Sequence, residues 1–267
     1  MRLDLHIHST ASDGSVAPAD LVQNARAGGL DVMAITDHDT VAGVAAAVAA
    51  AGPDIRVIPA IEISSQLDGE LHMLGYMLDM QNQALLDYTQ AASIRRQERM
   101  RGMLDKLATR NIHISYDEVI ASAGTRPDAV GRPHLARSLV DRGHARNVND
   151  AFDRLIGDDS DAYVAVQMLS PVQAIELIHG AGGIAVWAHP RVDVFDREVR
   201  NLSKLGLDGV ECYRPRHTSA EVQFFEAAAA ELGLIRTGGS DWHGVWHGRL
   251  GDYGVDSALV PEFVKLL

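Results

Sequence analysis

The chain has 267 residues, 46% of them hydrophobic and 22% charged, which fits one large α/β unit able to bury a substantial core. A net charge of −12 argues against tight non-specific binding to long nucleic acid or to an anionic membrane, but not against a small anionic substrate. Cys212 is the only cysteine, so an internal disulfide is excluded and a reducing cytoplasm is the expected compartment.

In chain order, Arg2 to His8 alternates apolar and polar residues, and a strand of that period projects His6 and His8 to the same side. A cleaved leader is not expected, because its removal would delete both histidines. Pro18 opens a helix to about Ala27, stopped by Gly28-Gly29. Leu30 to Ile35 is a short apolar strand ending in Thr36-Asp37-His38-Asp39, and Val41 to Ala51 is an alanine-rich helix. Ile55 to Ile61 forms the next strand and runs into Glu62. Another, Glu70 to Leu78, carries His72 inside it. Between about Gln81 and Ala165 no buried parallel strand is evident. Amphipathic segments replace it: arginine-rich Gln90 to Leu107, Arg132 to Arg142, and Val148 to Ile156. Later strands are Gly183 to Ala188, Leu207 to Cys212 and Leu234 to Thr237, with helices at Ser170 to His179 and Ala220 to Leu232. No apolar run approaches the roughly 20 residues that a membrane span needs. The alternation predicts a parallel sheet covered by helices and closed, or nearly closed, into a barrel.

Residues with ligand chemistry recur at or just beyond strand ends: His6, His8, Asp37-His38, Glu62, His189, Asp241 and His243, with Asp13 and His72 close by. Each has a bland reading. Asp13 precedes Gly14 and suits a turn, Asp37 suits a helix N-cap, and His72 suits a satisfied core histidine. Parallel barrels, however, gather the C-terminal ends of their strands on one face, so these residues would converge. Six histidines and three carboxylates are too many for one ion and suit two or three. Imidazole and carboxylate without thiolate favour zinc, manganese or iron. His113, His144, His179, His217 and His247 read as surface residues, and Cys212 as a small buried hydrophobe.

His6-x-His8, Thr36-Asp37-His38, Glu62, Ala188-His189-Pro190 and Ser240-Asp241-x-His243 resemble the motifs of the PHP (polymerase and histidinol phosphatase) domain of the amidohydrolase superfamily. The resemblance covers the whole chain. It implies a distorted (β/α)7 barrel, residues 1–80 and 166–267, with an inserted helical substrate-recognition subdomain at 81–165. It also implies a trinuclear metal centre. His6, His8, Glu62 and Asp241 would hold one ion, and Asp13, His38 and His243 a second. Glu62 would bridge to a third held with His72 and His189. The insertion and Gly131-Arg132-Pro133-His134 resemble the nucleotide phosphoesterase branch, which implies a 3',5'-nucleotide bisphosphate or short RNA as substrate.

Such a centre would generate a bridging hydroxide for in-line attack on phosphorus, with Asp13 and His243 as candidates for the neighbourhood of the general acid. By the same resemblance Arg99, Arg101, Arg132 and His134 match positions that bind substrate phosphate. Arg95 and Arg99 share a helix face, and Arg132-Pro133-His134 opens a helix whose free N–H groups favour an anion. Two alternatives stand beside this reading: a small-metabolite phosphatase of histidinol-phosphatase type, and a non-catalytic metal-stabilised module. The full ligand set argues against the module, and the arginines of the insertion favour nucleotides over the metabolite.

Overall fold

The computed structural model describes residues 1–67, 69–123 and 130–267. Strand β1 (Arg2–Ile7) sets Leu3, Leu5 and Ile7 on one face and Asp4 and His6 on the other, and all five are buried. Helix α1 (Pro18–Ala27) starts with proline at its first turn, and β2 (Val32–Ile35) then pairs parallel to β1. Helix α2 (Val44–Ala50) begins later than the alanine pattern predicts, because Gly43 sits at its N-cap. Strand β3 (Arg56–Gln66) pairs parallel to β2 and extends well past Ile61.

Here the sheet departs from the all-parallel arrangement. Only residues 67–69 separate β3 from β4 (Glu70–Tyr76), far too few for a crossover connection, so the chain reverses and the two strands form an antiparallel hairpin. Strand β5 (Ile184–Trp187) is antiparallel to β4, whereas β6 (Gly209–Tyr213) and β7 (Ile235–Gly238) continue in parallel. A short β8 (Val255–Asp256) lies antiparallel to the start of β1. The order β7-β6-β5-β4-β3-β2-β1-β8 is the expected barrel, distorted by the reversed strand and extended by one.

Between β4 and β5 the chain leaves the sheet for α3 (Gln83–Ala108), α4 (Tyr116–Ala123), α5 (Arg132–Asp141) and α6 (Val148–Ala151), which runs on as a π-helical turn. Helix α7 (Pro171–Gly180) brings it back, followed later by α8 (Val192–Lys204), α9 (Ser219–Leu232) and α10 (Pro261–Val264). The helices α3 to α6 enclose a core of their own, built from Met100, Met103, Leu107, Leu135, Leu139 and Ile156. Helix α3 serves both cores, since Leu85 near its start packs with the barrel residues.

Strands β1 and β7 do not pair directly; the segment after β7 closes the ring. The Asp241 N–H donates to the His6 carbonyl at 2.9 Å and the His8 N–H to the Trp242 carbonyl at 2.9 Å. Gly239 permits this approach, because a Cβ there would stand 2.4 Å from the His6 nitrogen. Gly239→Ala should therefore lower stability by about 1–3 kcal/mol in urea unfolding. Gly180→Ala, where a Cβ meets nothing within 4 Å, should change little by comparison. Equal effects of the two substitutions would show that the closure does not depend on Gly239.

Candidate metal centre

The period of β1 delivers His6 and His8 together, with their Nε2 atoms 3.1 Å apart. Glu62, on the hydrogen-bonded part of β3, is fully buried beneath them. Its Oε2 lies 3.2 Å from both of those Nε2 atoms and 3.1 Å from His38 Nδ1. Its Oε1 lies 2.9 Å from His72 Nδ1 and 2.9 Å from His189 Nε2. The hairpin places His72 opposite Ser64, so a residue in mid-strand reaches the same centre as residues at strand ends. His189 and Asp241 both adopt positive φ, at 29° and 56°, a strained conformation for residues other than glycine that the surrounding hydrogen bonds impose.

The nine residues singled out in the sequence fall into four overlapping groups. These are His8, Asp13, His38 and His243; His6, His8 and Asp241; His6, Glu62 and His189; and His38, Glu62 and His72. Within each group the donor atoms lie no more than 4.8 Å apart. His6, His8 and His38 thus each face two groups rather than the single one that the resemblance implies. Glu62 Oε2, His8 Nδ1 and His38 Nδ1 are buried and make no hydrogen bond among the described residues. Converging lone pairs of this kind fit divalent cations, and an imidazole–carboxylate donor set suits zinc, manganese or iron.

Without cations the cluster balances charge by protonation. Burial disfavours the Glu62 carboxylate, yet the His38, His6 and His72 imidazoles outweigh it and hold the group well below the usual range. Burial likewise opposes the His8 cation, but the Asp241 and Glu62 carboxylates beside it hold it up at about 10. His72 is held at about 10 against burial by Glu62 and Glu70. For His38 burial wins over Glu62 and Asp13, and the group falls to about 3.

A second layer fixes the ring orientations. His243 Nδ1 donates to the Asp241 carbonyl at 2.8 Å, which leaves Nε2 as the free donor atom, 3.4 Å from Asp13 Oδ1. Glu211 was not singled out in the sequence. It is fully buried, accepts from His6 Nδ1 at 3.0 Å, and accepts the His189 N–H at 2.7 Å. A lone carboxylate in the apolar run Val210-Glu211-Cys212 was the available signal. Asp37 is neither ligand nor N-cap: it accepts from the Ser9 N–H at 2.7 Å and from both the Ser9 and Ser12 hydroxyls, tying down the loop after β1.

A cavity of about 450 Å³ opens onto the cluster at Asp13, His38, His72 and His189, and Arg96, Arg99 and Arg132 also line it. Arg101 and His134 are not among its lining residues. Arg101 lies 4.5 Å over the Tyr116 ring, and the buried His134 accepts the Gly131 N–H on Nδ1, capping its own helix.

An α/β barrel closed around clustered imidazoles and carboxylates defines a metal-dependent hydrolase. The chain belongs to the PHP domain family, whose profile matches residues 4–167. It is 37% identical over 249 residues to a 5'-3' exoribonuclease of Haemophilus influenzae, covering 91% of this chain and 90% of the relative. It is 32% identical to a 3',5'-nucleoside bisphosphate phosphatase of Chromobacterium violaceum, covering 90% and 87%. A solved structure from Bifidobacterium adolescentis, described as a metal-dependent phosphoesterase, superposes with a TM-score of 0.89. That pair shares 31% identity, covering 98% of this chain and 95% of the other.

Glu211 orients two members of the cluster without facing its centre, so it acts as a positioning residue. Glu211→Gln should weaken divalent-metal affinity by about ten- to a hundredfold in calorimetric titration while far-UV circular dichroism stays as in the wild type. Wild-type affinity in the variant would remove this role.

Proposed function

We propose that the protein hydrolyses the 3'-phosphoester of nucleotides that carry a second phosphate at the 5' position. The substrate is a 3',5'-nucleoside bisphosphate or a short 5'-phosphorylated oligoribonucleotide. One observation carries the reading: a single cavity is lined both by members of the histidine–carboxylate cluster and by four arginines, Arg96, Arg99, Arg132 and Arg191. A ligand with two phosphates fits that lining, one reacting and one held. One relative is named for a substrate with two phosphates, a 3',5'-nucleoside bisphosphate.

The reaction is hydrolysis of a phosphate ester. Divalent ions bound at the cluster supply a water-derived nucleophile at neutral pH and offset charge on the phosphoryl oxygens. We assign two to three such ions, held by His6, His8, Asp13, His38, Glu62, His72, His189, Asp241 and His243. Glu62 presents its two oxygens to different histidines and would serve two ions at once. Asp13 lines the cavity 3.4 Å from His243 Nε2, and with both held as ligands in this reading the departing 3' oxygen takes its proton from water. The helical segment 81–165 is the substrate-recognition unit of the proposal. Within it Arg132 is already bound to Glu70 and Asp158, and Arg96 to Asp39. Arg99 Nε and Nη2 make no hydrogen bond among the described residues, so Arg99 is the cation best able to accept the second phosphate.

The defining experiment is a phosphate-release screen of the metal-loaded protein with nucleotide bisphosphates, nucleoside monophosphates and amino-alcohol phosphates. Turnover of bisphosphates should dominate; preference for an amino-alcohol phosphate would replace the substrate. Elemental analysis should find two to three ions per chain. Glu62→Gln should lose at least one ion and most activity with helical content retained, and near-normal turnover in that variant would sink the bridging role. For Arg99→Ala, kcat/KM on a 3',5'-bisphosphate should fall about ten- to a hundredfold, the loss expected for a charge-assisted contact. A generic phosphate ester, lacking the second phosphate, should be affected much less. Equal impairment of both substrates would place Arg99 at the reacting centre instead.

A further inference from the structure

The cluster is flanked by a second cavity of about 460 Å³ that shares no lining residue with the first. Asp241 joins it to the metal centre. The Asp241 Oδ1 lies 3.4 Å from the His6 and His8 Nε2 atoms, and its Oδ2 accepts from Arg214 Nη2 at 2.8 Å in the second cavity. Arg214 Nε is buried and makes no hydrogen bond among the described residues. Arg216 and Arg249 also line this cavity, and neither forms an ion pair among the described residues, in a chain of 36 acidic and 24 basic residues. The one further carboxylate in the lining, Asp252, is engaged by the Arg249 backbone N–H at 2.8 Å. Trp246, 53% exposed, and Tyr253 complete the wall with aromatic surface.

Guanidinium groups beside an open indole are the chemistry that holds single-stranded nucleic acid, through phosphate contacts and stacked bases. A phosphomonoester has an organic group on one side of phosphorus only, and one cavity suffices for it. A phosphodiester within a strand needs room on both sides.

We infer that the second cavity binds the downstream part of an oligoribonucleotide, the nucleotides attached beyond the scissile phosphate. The inference rests on the phosphoesterase reading above and extends it. The 5'-terminal nucleotide occupies the first cavity, and the scissile phosphorus lies at the cluster between the two. Water oxygen bonds to phosphorus and loses a proton, the bond from phosphorus to the 3' oxygen of the terminal nucleotide breaks, and that oxygen gains a proton in exchange. The remaining strand keeps the phosphate as its new 5' end, held by the arginines of the second cavity.

Arg216→Gln and Arg249→Gln test this at exposed positions; Trp246 is left intact because Arg137 stacks 4.5 Å from its ring. The readout is the ratio of kcat/KM on a 5'-phosphorylated tetraribonucleotide to kcat/KM on a 3',5'-bisphosphate. Each substitution should lower that ratio roughly five- to tenfold. The salt dependence on the tetranucleotide should also become shallower, by about 0.7 in log–log slope for each phosphate that the variant no longer neutralises. An unchanged ratio, whether both activities persist or both fall together, would overturn the inference. A third measurement separates it from the reading it rests on. Fluorescence anisotropy of a labelled phosphorothioate tetranucleotide should show at least fivefold weaker binding in the variants, even if the wild type cleaves neither substrate. In that case the phosphoesterase assignment fails while the binding site stands; equal binding by wild type and variants removes the site.

Discussion

Five imidazoles, from His6, His8, His38, His72 and His189, converge on the carboxylate of Glu62, which has no exposure to solvent. An ionised carboxylate buried without partners would cost several kcal/mol, so the fold can keep Glu62 there only by supplying imidazole partners around it. The supply comes from four places: the end of β1, the loop after β2, the middle of β4 and the turn after β5. Each must arrive within hydrogen-bond range at once. That requirement explains why the barrel closes where it does. The backbone bonds from Asp241 to His6 and from His8 to Trp242 fix the last ligand pair against the first. The positive φ at Asp241 lies at this closure, and the positive φ at His189 accompanies the bond from its N–H to Glu211.

The helical segment is fastened to the same centre by a second buried charge. Asp39 directly follows His38 and is buried; it accepts from Arg96 Nε at 3.0 Å, from the Tyr88 hydroxyl at 2.5 Å and from the Ser64 N–H at 2.7 Å. Arg96 and Tyr88 belong to α3, so the helix that bears Arg99 is held in register with the loop that bears His38. Burial alone would push the Asp39 carboxyl up, yet Arg96 and Tyr88 bring it below its ordinary value. The distance between the cation side and the metal side of the cavity is therefore set by Asp39, Tyr88 and Arg96, of which only Arg96 lines the cavity.

Much of this was legible in the sequence because strand period and strand ends carry direct geometric meaning. His6-x-His8 could face one way only, and Glu62, His189, Asp241 and His243 followed apolar runs that had to be strands. The direction of β4 was not legible from composition, since an apolar run reads alike in either sense; the three-residue link at 67–69 held that information. Helical periodicity grouped Arg95 with Arg99 but could not say which face meets the cavity, so Arg99 and Arg101 looked equivalent, although Arg99 lines the cavity and Arg101 does not. His134 at a helix start suggested anion binding, whereas its ring turns back to its own N-cap nitrogen. Glu211 and the Asp37 serine web act through other residues, and such partners leave no spacing pattern. His247 read as a surface residue and is exposed, yet its Nδ1 stands 3.1 Å from the Asp241 carbonyl.

Charge placement connects the substrate proposal with the composition. Over distances beyond the screening length of roughly 8–10 Å, a chain of net charge −12 repels a polyanion rather than gathering it. Inside a cavity, a phosphate meets guanidinium groups at contact distance, where low-dielectric walls screen little. Arginines line both cavities, Arg96, Arg99, Arg132 and Arg191 in the first and Arg214, Arg216 and Arg249 in the second. Attraction is thus confined to the span of a few nucleotides. A long strand would gain those same few contacts and add repulsion along the rest of its length, so on the proposed reading the balance of charges itself favours short substrates.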